Sequence, residues 1–299
     1  MVTIKEKVFT DVLVIGGGGA ACTAAVASAR KGADTVLVSK GKIGNSGNTI
    51  MIGGSYGMDG ESAFYEYHIP EADPSFTKED LFRSICNDGF NLSDQNMVEQ
   101  FVEESPRIVY EVREWGREAG QHYKFYRPGN WDVSGRGMGR SLLKGVEKEG
   151  SIRLYEDVMI IGLLKNGDRV TGAVGMDLYE GCLLQFEAKE VVLGTGGYQP
   201  YSLKNTNSDM TGDGQAMAYR AGARLADMEF MLFLITAVEA VAYWTPGYYK
   251  MEYEKYQVLD DLPEMTMDDL LSVTDEMMAY LRGNREDLHV FTTMGGEYR

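Results

Sequence analysis

Cysteine, positive charge and long apolar runs are all scarce in this 299-residue chain, and each shortage excludes something. Its three cysteines, Cys22, Cys86 and Cys182, stand far apart with no C-x-x-C pair. That spacing offers no zinc or iron–sulfur ligand set, so no metal site is expected, and an odd number of isolated thiols suits a reducing compartment. Lysine and arginine number 29 against 45 aspartates and glutamates, for a formal net charge of −16. Such a surface repels a phosphate backbone; nucleic acid is not an expected partner, and the charge reads as a means of staying in solution. The most apolar stretch, 228–244, contains Glu229 and Glu239 and falls short of the roughly 20 residues that span a bilayer, so no membrane span is expected. The N-terminal MVTIKEKVFTDVLVIG does not have the layout of a signal peptide, which makes the cytoplasm the expected location.

What the chain has in abundance is glycine, 36 residues of it, concentrated in four places. The first cluster follows Val12–Ile15 in DVLVIGGGGAA and precedes an Ala-rich segment that runs to Arg30 and Lys31, with Gly32 as a stop. Strand, glycine turn and helix in this order match the dinucleotide fingerprint in its Gly/Ala form, Gly16-x-Gly18-x-x-Ala21. Gly16 permits the tight turn, Gly18 lets backbone approach a pyrophosphate, and Ala21 allows close helix–strand packing. The N–H groups at the helix start then meet the phosphates. A second strand, Thr35–Val38, arrives on schedule. The acid expected about 20 positions on, to bind a ribose hydroxyl, is instead Ser39, and Asp34 comes too early.

Further along, Lys40–Gly60 is a Gly/Ser/Asn-rich loop placed to lie along a ligand. Residues 61–128 read as largely helical. A capping box at Thr77 and Asp80 opens one helix, a second spans Ser93 or Asp94 to about Glu104, and Pro106 starts a third that ends before Gly120. Trp115 on that helix reads as core. A glycine-rich segment from Gly129 leads into a helix beginning near Met138, with Arg136 and Arg140 where an anion could be met. Residues 151–156 return to the main sheet. Val158–Leu164, Arg169–Leu178 and Leu183–Ala188 form a meander with turns at Asn166-Gly167 and Glu180-Gly181, and Val191–Gly197 is a separate buried strand ending in glycine. Asp213, between Gly212 and Gly214, precedes a short helix ending at Gly222, and another helix is expected over 268–281.

Several of these segments together resemble one family, the FAD-dependent flavoproteins of fumarate reductase and succinate dehydrogenase, with aspartate oxidase and adenylylsulfate reductase. They are VIGGGGAACTAA, VLVSK, GNTIMIGG, KEVVLGTGG, TGDGQAMAYRAGARLADMEF and, more weakly, TTMGG. The resemblance implies FAD, with Gly16, Gly18, Gly19, Ala20 and Ala21 at the pyrophosphate and Ser39 with Lys40 at the adenosine side. It places Ser46, Gly47, Asn48, Thr49, Gly53 and Gly54 along the flavin, Val158 at the adenine, and Thr195, Gly196, Gly197 and Asp213 against the cofactor. Where family members attach FAD to a histidine, Gly47 and Asn48 stand, so FAD is expected to be noncovalent. Leu234 and Phe291 occupy the places of the family's two substrate histidines, and His289 is out of register. Only a short segment separates LFLIT from TTMGG, where the family has a large capping domain with a proton-donating arginine; Arg282 and Arg285 lie there without a motif. The family's C-terminal FAD-contacting segment does not follow.

The expected fold is therefore α/β: a Rossmann-like FAD-binding domain over 1–235 with a parallel central sheet and a three-stranded meander. Residues 236–299 are expected to be a reduced or divergent cap region and the start of the return to the FAD domain. The expected function is flavin-dependent oxidoreduction of a small molecule other than a simple C4 dicarboxylate. The alternative is an electron-transfer or assembly subunit without substrate chemistry, passing electrons to an iron–sulfur partner. A plain NAD-binding domain is a third reading, which an absorbance spectrum separates from the others.

Overall fold

The structure, a computed structural model, describes residues 4–52, 55–198, 210–226, 228, 290–291 and 297–298. The chain divides into two compact units, one of 1–197 with 212–224 and the other of 198–211 with 225–299. In chain order the first unit opens with β1 (Ile4–Ile15), α1 (Gly19–Arg30), β2 (Thr35–Val38) and a turn of 3-10 helix (Asn48–Met51). Next come β3 (Ser55–Gly57), α2 (Gly60–Tyr65), α3 (Lys78–Asp88), α4 (Gln95–Glu118), β4 (Lys124–Tyr126) and β5 (Asn130–Asp132). It continues with α5 (Gly135–Lys148), β6 (Arg153–Tyr155), β7 (Val158–Asn166), β8 (Arg169–Asp177), β9 (Leu183–Leu193) and α6 (Asp213–Ala221). Described in the second unit are a bridge between Tyr198 and Thr211 and the antiparallel pair β10 (Val290–Phe291) and β11 (Glu297–Tyr298).

Six strands form the main sheet in the order β6-β2-β1-β9-β8-β7. The first four run parallel, and β8 and β7 are antiparallel. This is the expected α/β fold with a parallel centre. Two details differ from expectation for one reason. The expected strands Leu183–Ala188 and Val191–Gly197 are a single strand, β9, and β1 begins at Ile4 rather than Val12. β9 uses both edges: its first half pairs with β8 while its whole length pairs with β1, from Ile4↔Leu183 to Ile15↔Leu193. A backbone partner thus exists for the polar start of β1, which has no apolar run to announce it. The meander is fused to the parallel sheet through β9.

Alternation then sorts the core. Val14 and Leu37 face α1, α4 and α5, through Ala21, Cys22, Ala25, Val112, Trp115 and Leu142. Leu13, Ile15, Val36 and Val38 pack with Val158, Ile160, Phe186 and Met217. At the far end of β8, the acidic turn Asp177–Glu180 is a hydrogen-bonded connection. Asp177 accepts from the Tyr179 and Glu180 N–H groups, and Glu180 pairs with Lys5.

The two helices expected over 94–118 are one. α4 runs through Pro106, whose ring removes the N–H that would serve the Val102 carbonyl. The Ser105 hydroxyl donates to that carbonyl instead, at 3.3 Å, and the helix continues. α5 begins at Gly135, ahead of Met138, because Ser134 caps it by accepting from the Gly137 N–H at 3.2 Å. The small antiparallel sheet β3-β5-β4 has strands too short for a readable alternation; it buries Trp131 against Phe125, with the Arg113 guanidinium over the indole. The expected helix over 268–281 lies outside the described residues, as do Leu234 and the side chain of Phe291.

Ser105→Ala should lower stability by about 1 kcal/mol, the worth of one hydrogen bond to a buried carbonyl. In a Pro106→Ala background, where a backbone N–H returns, the same substitution should cost clearly less. Paired denaturant melts measure both, and equal losses would contradict this account of how α4 survives its proline.

Candidate functional site

The site is assembled at the C-terminal ends of β1, β2 and β9, where the strands deliver three glycine-bearing turns. The first is the fingerprint itself. Gly16 has φ +129°, and a Cβ there would collide with the Gly194 carbonyl at the end of β9. Gly194 in turn lies on α1, where its own Cβ would come within 2.7 Å of the Ala21 Cβ. Two hydrogen bonds hold this close approach, Gly16 N–H to Val38 carbonyl at 2.8 Å and Gly194 N–H to Ile15 carbonyl at 2.7 Å. The small residues at 16, 21 and 194 thus meet at one point. Gly18 differs: a Cβ there would meet only the Thr49 hydroxyl, at 3.1 Å.

The N-cap residue of α1, Gly18, has no side chain to cap it, and the helix's first turn carries no acid. Gly16–Gly19 are partly exposed and Ala20 is exposed. A helix start in this condition presents N–H donors and the positive end of its dipole to an anion. Cys22 lies just beneath, buried, with its Sγ 3.5 Å from the Gly17 carbonyl. Burial pushes its thiol up to about 12, so it stays protonated and serves as a packing group.

The second turn is the loop after β2. Its Thr49 hydroxyl accepts from the Gly19 N–H at 3.3 Å, which brings the 46–49 segment onto the phosphate turn. The Ser46 hydroxyl donates to the Lys42 carbonyl at 2.7 Å. On its other side the loop rests on α5. The backbone of Gly135 abuts the Ile50 carbonyl and that of Gly139 abuts the Gly44 carbonyl, so closely that neither glycine has room for a Cβ. This explains two of the glycines of Gly129–Lys148; Arg136 and Arg140, each one residue further along the same helix, are exposed.

The third turn, 194–197, meets the start of α6. Thr195 packs against Gly214, again leaving no space for a Cβ, and Gln215 Nε2 donates to the Gly196 carbonyl at 2.8 Å. Asp213 is the first residue of α6, with Gly212 as its cap. Its carboxylate lies 3.3 Å from Lys40 Nζ at the end of β2, so two residues distant in sequence form an ion pair at the mouth of the site.

The expected site residues are placed as follows. Gly16, Gly18, Gly19, Ala20 and Ala21 form the turn and helix start, with Ser39, Lys40, Ser46, Gly47, Asn48 and Thr49 beside them. Thr195, Gly196, Gly197 and Asp213 close the third side, while Gly53 and Gly54 lie outside the described residues. Val158 is buried in the core, and it meets this region through its backbone, donating to the Ser39 carbonyl at 3.0 Å. Ser39 is buried as well; its Oγ accepts from the Gly41 N–H at 3.3 Å and lies under Gly17. Gly194, Gln215 and Ile43 join the assembly without having been expected site residues by number. Only Gly194 carried a signal, as the glycine that ends an apolar run.

The sequence profile described as the FAD binding domain matches residues 11–243, well over half of the chain. The chain belongs to this FAD-binding family. The membership indicates FAD as its cofactor, and a glycine-capped helix start without an acid in its first turn suits a pyrophosphate. A second profile, described as lipoprotein intramolecular transacylase Lit, matches 225–296, a much smaller part. Among curated proteins this family member is similar to an uncharacterized FAD-dependent oxidoreductase of Methanocaldococcus jannaschii. The two are 31% identical over 238 residues, covering 75% of this chain and 42% of that protein. It is also 28% identical over 239 residues to the fumarate reductase flavoprotein subunit of a Serratia species, with 75% and 38% covered. The chain thus spans less than half the length of these relatives. Its fold is that of the E. coli quinol fumarate reductase FrdA chain, with a TM-score of 0.70 at 23% identity over 97% of this chain and 53% of that one. Among the described residues no helix is long and apolar enough to cross a membrane.

The geometry separates two glycines that the fingerprint treats alike. Gly16→Ala must overcome both the positive φ and the Gly194 carbonyl, for an expected loss of about 3 kcal/mol. Gly18→Ala should cost less than about 1 kcal/mol, since the Thr49 hydroxyl has only to give slightly. Thermal or urea melts of the two variants without flavin test the difference; equal losses would contradict the assigned close approach.

Proposed function

We propose that this chain binds FAD noncovalently at the three turns and forms the flavin-bearing part of an oxidoreductase whose substrate is not a simple C4 dicarboxylate. The observation that carries the reading is the partly exposed, acid-free start of α1 with glycine at its N-cap, above a turn locked by Gly16, Gly194 and Ala21. Gly16 and Gly18–Ala21 would receive the pyrophosphate, and Ser39 with Lys40 would face the adenosine side. Because the Val158 side chain is buried, its part at the adenine would fall to backbone. Ser46–Thr49 with Gly53 and Gly54 would lie along the flavin, and Thr195–Gly197 and Asp213 would close the remaining side. Bound FAD supplies hydride and electron exchange; the protein orients it and sets its surroundings. The Lys40–Asp213 pair places one charge of each sign beside that surface.

The relatives' names support oxidoreduction, one being a FAD-dependent oxidoreductase and the other the flavoprotein of a fumarate reductase. A second reading is an electron-transfer or assembly subunit working with an iron–sulfur partner. It is favoured by Leu234 and Phe291, which stand where the family has substrate histidines.

Two experiments test these readings. No histidine, cysteine or tyrosine occupies 46–54, so acid precipitation should leave the yellow colour in the supernatant. Gly18→Val should purify folded but colourless, because a branched side chain there pushes the pyrophosphate away. Flavin retained in the pellet sinks the noncovalent claim, and full flavin content in the variant sinks the site.

The substrate reading is tested by fumarate itself. Losing one donor that stabilises developing charge costs about 10²–10³ in rate, so a site with Leu234 and Phe291 in place of two should leave little turnover. With reduced dye as donor we expect no appreciable fumarate reduction, and a robust rate would overturn that reading.

A further inference from the structure

We infer that Glu156 is a positioning residue for the cofactor: from the β6–β7 joint it holds the loop after β2 under the phosphate turn, the ribose-side acid of the fingerprint being absent at position 39. The inference rests on the FAD reading above. The joint between β6 and β7 is Glu156 and Asp157, and it lies directly against the end of β2. There the Ser39 N–H donates to the Tyr155 carbonyl at 2.9 Å, and the Val158 N–H donates to the Ser39 carbonyl at 3.0 Å. From this fixed point the Glu156 carboxylate reaches into the loop with both oxygens. Oε1 accepts from the Ile43 N–H at 2.8 Å, and Oε2 lies 3.1 Å from Lys42 Nζ. The same ammonium meets Asp157 at 2.7 Å, and hydrogen bonds from Asp157 and then Glu156 raise its pKa.

The amide so held matters because of where its side chain goes. Ile43 is only 1% exposed and packs among α1 and α5 residues. It sits under Gly17, whose notional Cβ would come 3.5 Å from Ile43 Cγ1. The next residue, Gly44, has φ +76° and lies against the Gly139 carbonyl of α5. Releasing the Ile43 N–H would therefore loosen a segment wedged between the pyrophosphate turn and the helix that carries the 46–49 segment. The two limbs are unequal. A backbone N–H bonded to a carboxylate is a charge-assisted bond, whereas Lys42 is more than half exposed and its pairing is screened by water.

The test uses the full chain, freed of flavin and titrated with FAD while flavin fluorescence is followed. Glu156→Asp keeps the charge but is one methylene short of Ile43, and should weaken FAD about ten- to a hundredfold, as should Glu156→Ala. Glu156→Gln keeps an oxygen within reach of the Ile43 N–H and should stay within about fivefold of the unmodified chain, as should Lys42→Ala. Trypsin should cut flavin-free Glu156→Asp faster after Lys40 and Lys42, while its thermal midpoint stays close to that of the parent. FAD affinity in Glu156→Asp equal to that of the parent overturns the inference, as does Glu156→Gln binding as weakly as Glu156→Asp. If the parent chain itself takes up no FAD, the proposed function falls; if the parent binds FAD and Glu156→Asp binds it equally well, only the positioning role falls.

Discussion

The contact on which the rest depends is the meeting of Gly16, Ala21 and Gly194. Three backbone segments, the end of β1, the start of α1 and the end of β9, approach more closely than a Cβ on either glycine would permit. Close packing of this kind has little room to adjust, since there is no flexible side chain to yield. It fixes the angle at which α1 leaves the sheet, and so the direction in which its N–H groups point. It also sets the level at which the 194–197 turn emerges, and through Thr195 and Gly214 the level at which α6 begins. A dinucleotide fingerprint is usually described from its own glycines. Here half of the constraint comes from a strand whose last residues lie far along the chain.

α5 repeats the device from the other side. Gly135 and Gly139 let its backbone touch the Ile50 and Gly44 carbonyls, and Gly145 lets the Trp115 ring lie against it. Glycine lowers helix propensity by about 1 kcal/mol each, so a helix with several glycines carries a real penalty. The Ser134 cap offsets part of it, and burial of Met138, Leu142 and Val146 against α1 and α4 offsets more. The loop after β2 is thus held between two glycine-lined surfaces, with the 3-10 turn Asn48–Met51 as its regular element among the described residues.

Much of this was legible in the sequence because the signals were local. The fingerprint turn, β2, the capping box at Thr77 and Asp80, the β7–β8 hairpin and α6 with its Gly222 stop all depend on residues a few positions apart. What could not be read depends on partners far away or, in α4, on a side-chain bond that no motif announces. The start of β1 is stabilised by β9, the continuity of α4 through Pro106 by a hydroxyl one residue earlier, and the three-residue strands by Trp131 and its neighbours. Candidate site residues followed the same division. Gly16, Gly18 and Asp213 stood out by motif, whereas Gly194, Ile43 and Gln215 acquire meaning only when the sheet brings them together. Val158 shows the reverse: a residue singled out by resemblance lies in the core, and its N–H is spent on the Ser39 carbonyl.

The loops around the site are rigidified by small polar side chains rather than by ladders. Thr49 accepts from Gly19, Ser46 donates to Lys42, Ser39 accepts from Gly41, and Gln215 donates to Gly196. Each such bond contributes about 0.5–1.5 kcal/mol net, which is modest against the whole protein. Their effect on binding is larger than their effect on folding would suggest. A loop that must be ordered when a ligand arrives subtracts that ordering from the affinity, and a loop already ordered does not. With β1, β9 and α5 supplying contacts that cannot stretch, these four bonds have only short spans to hold, so a site made almost wholly of turns can be preorganised by side chains of three or fewer rotatable bonds.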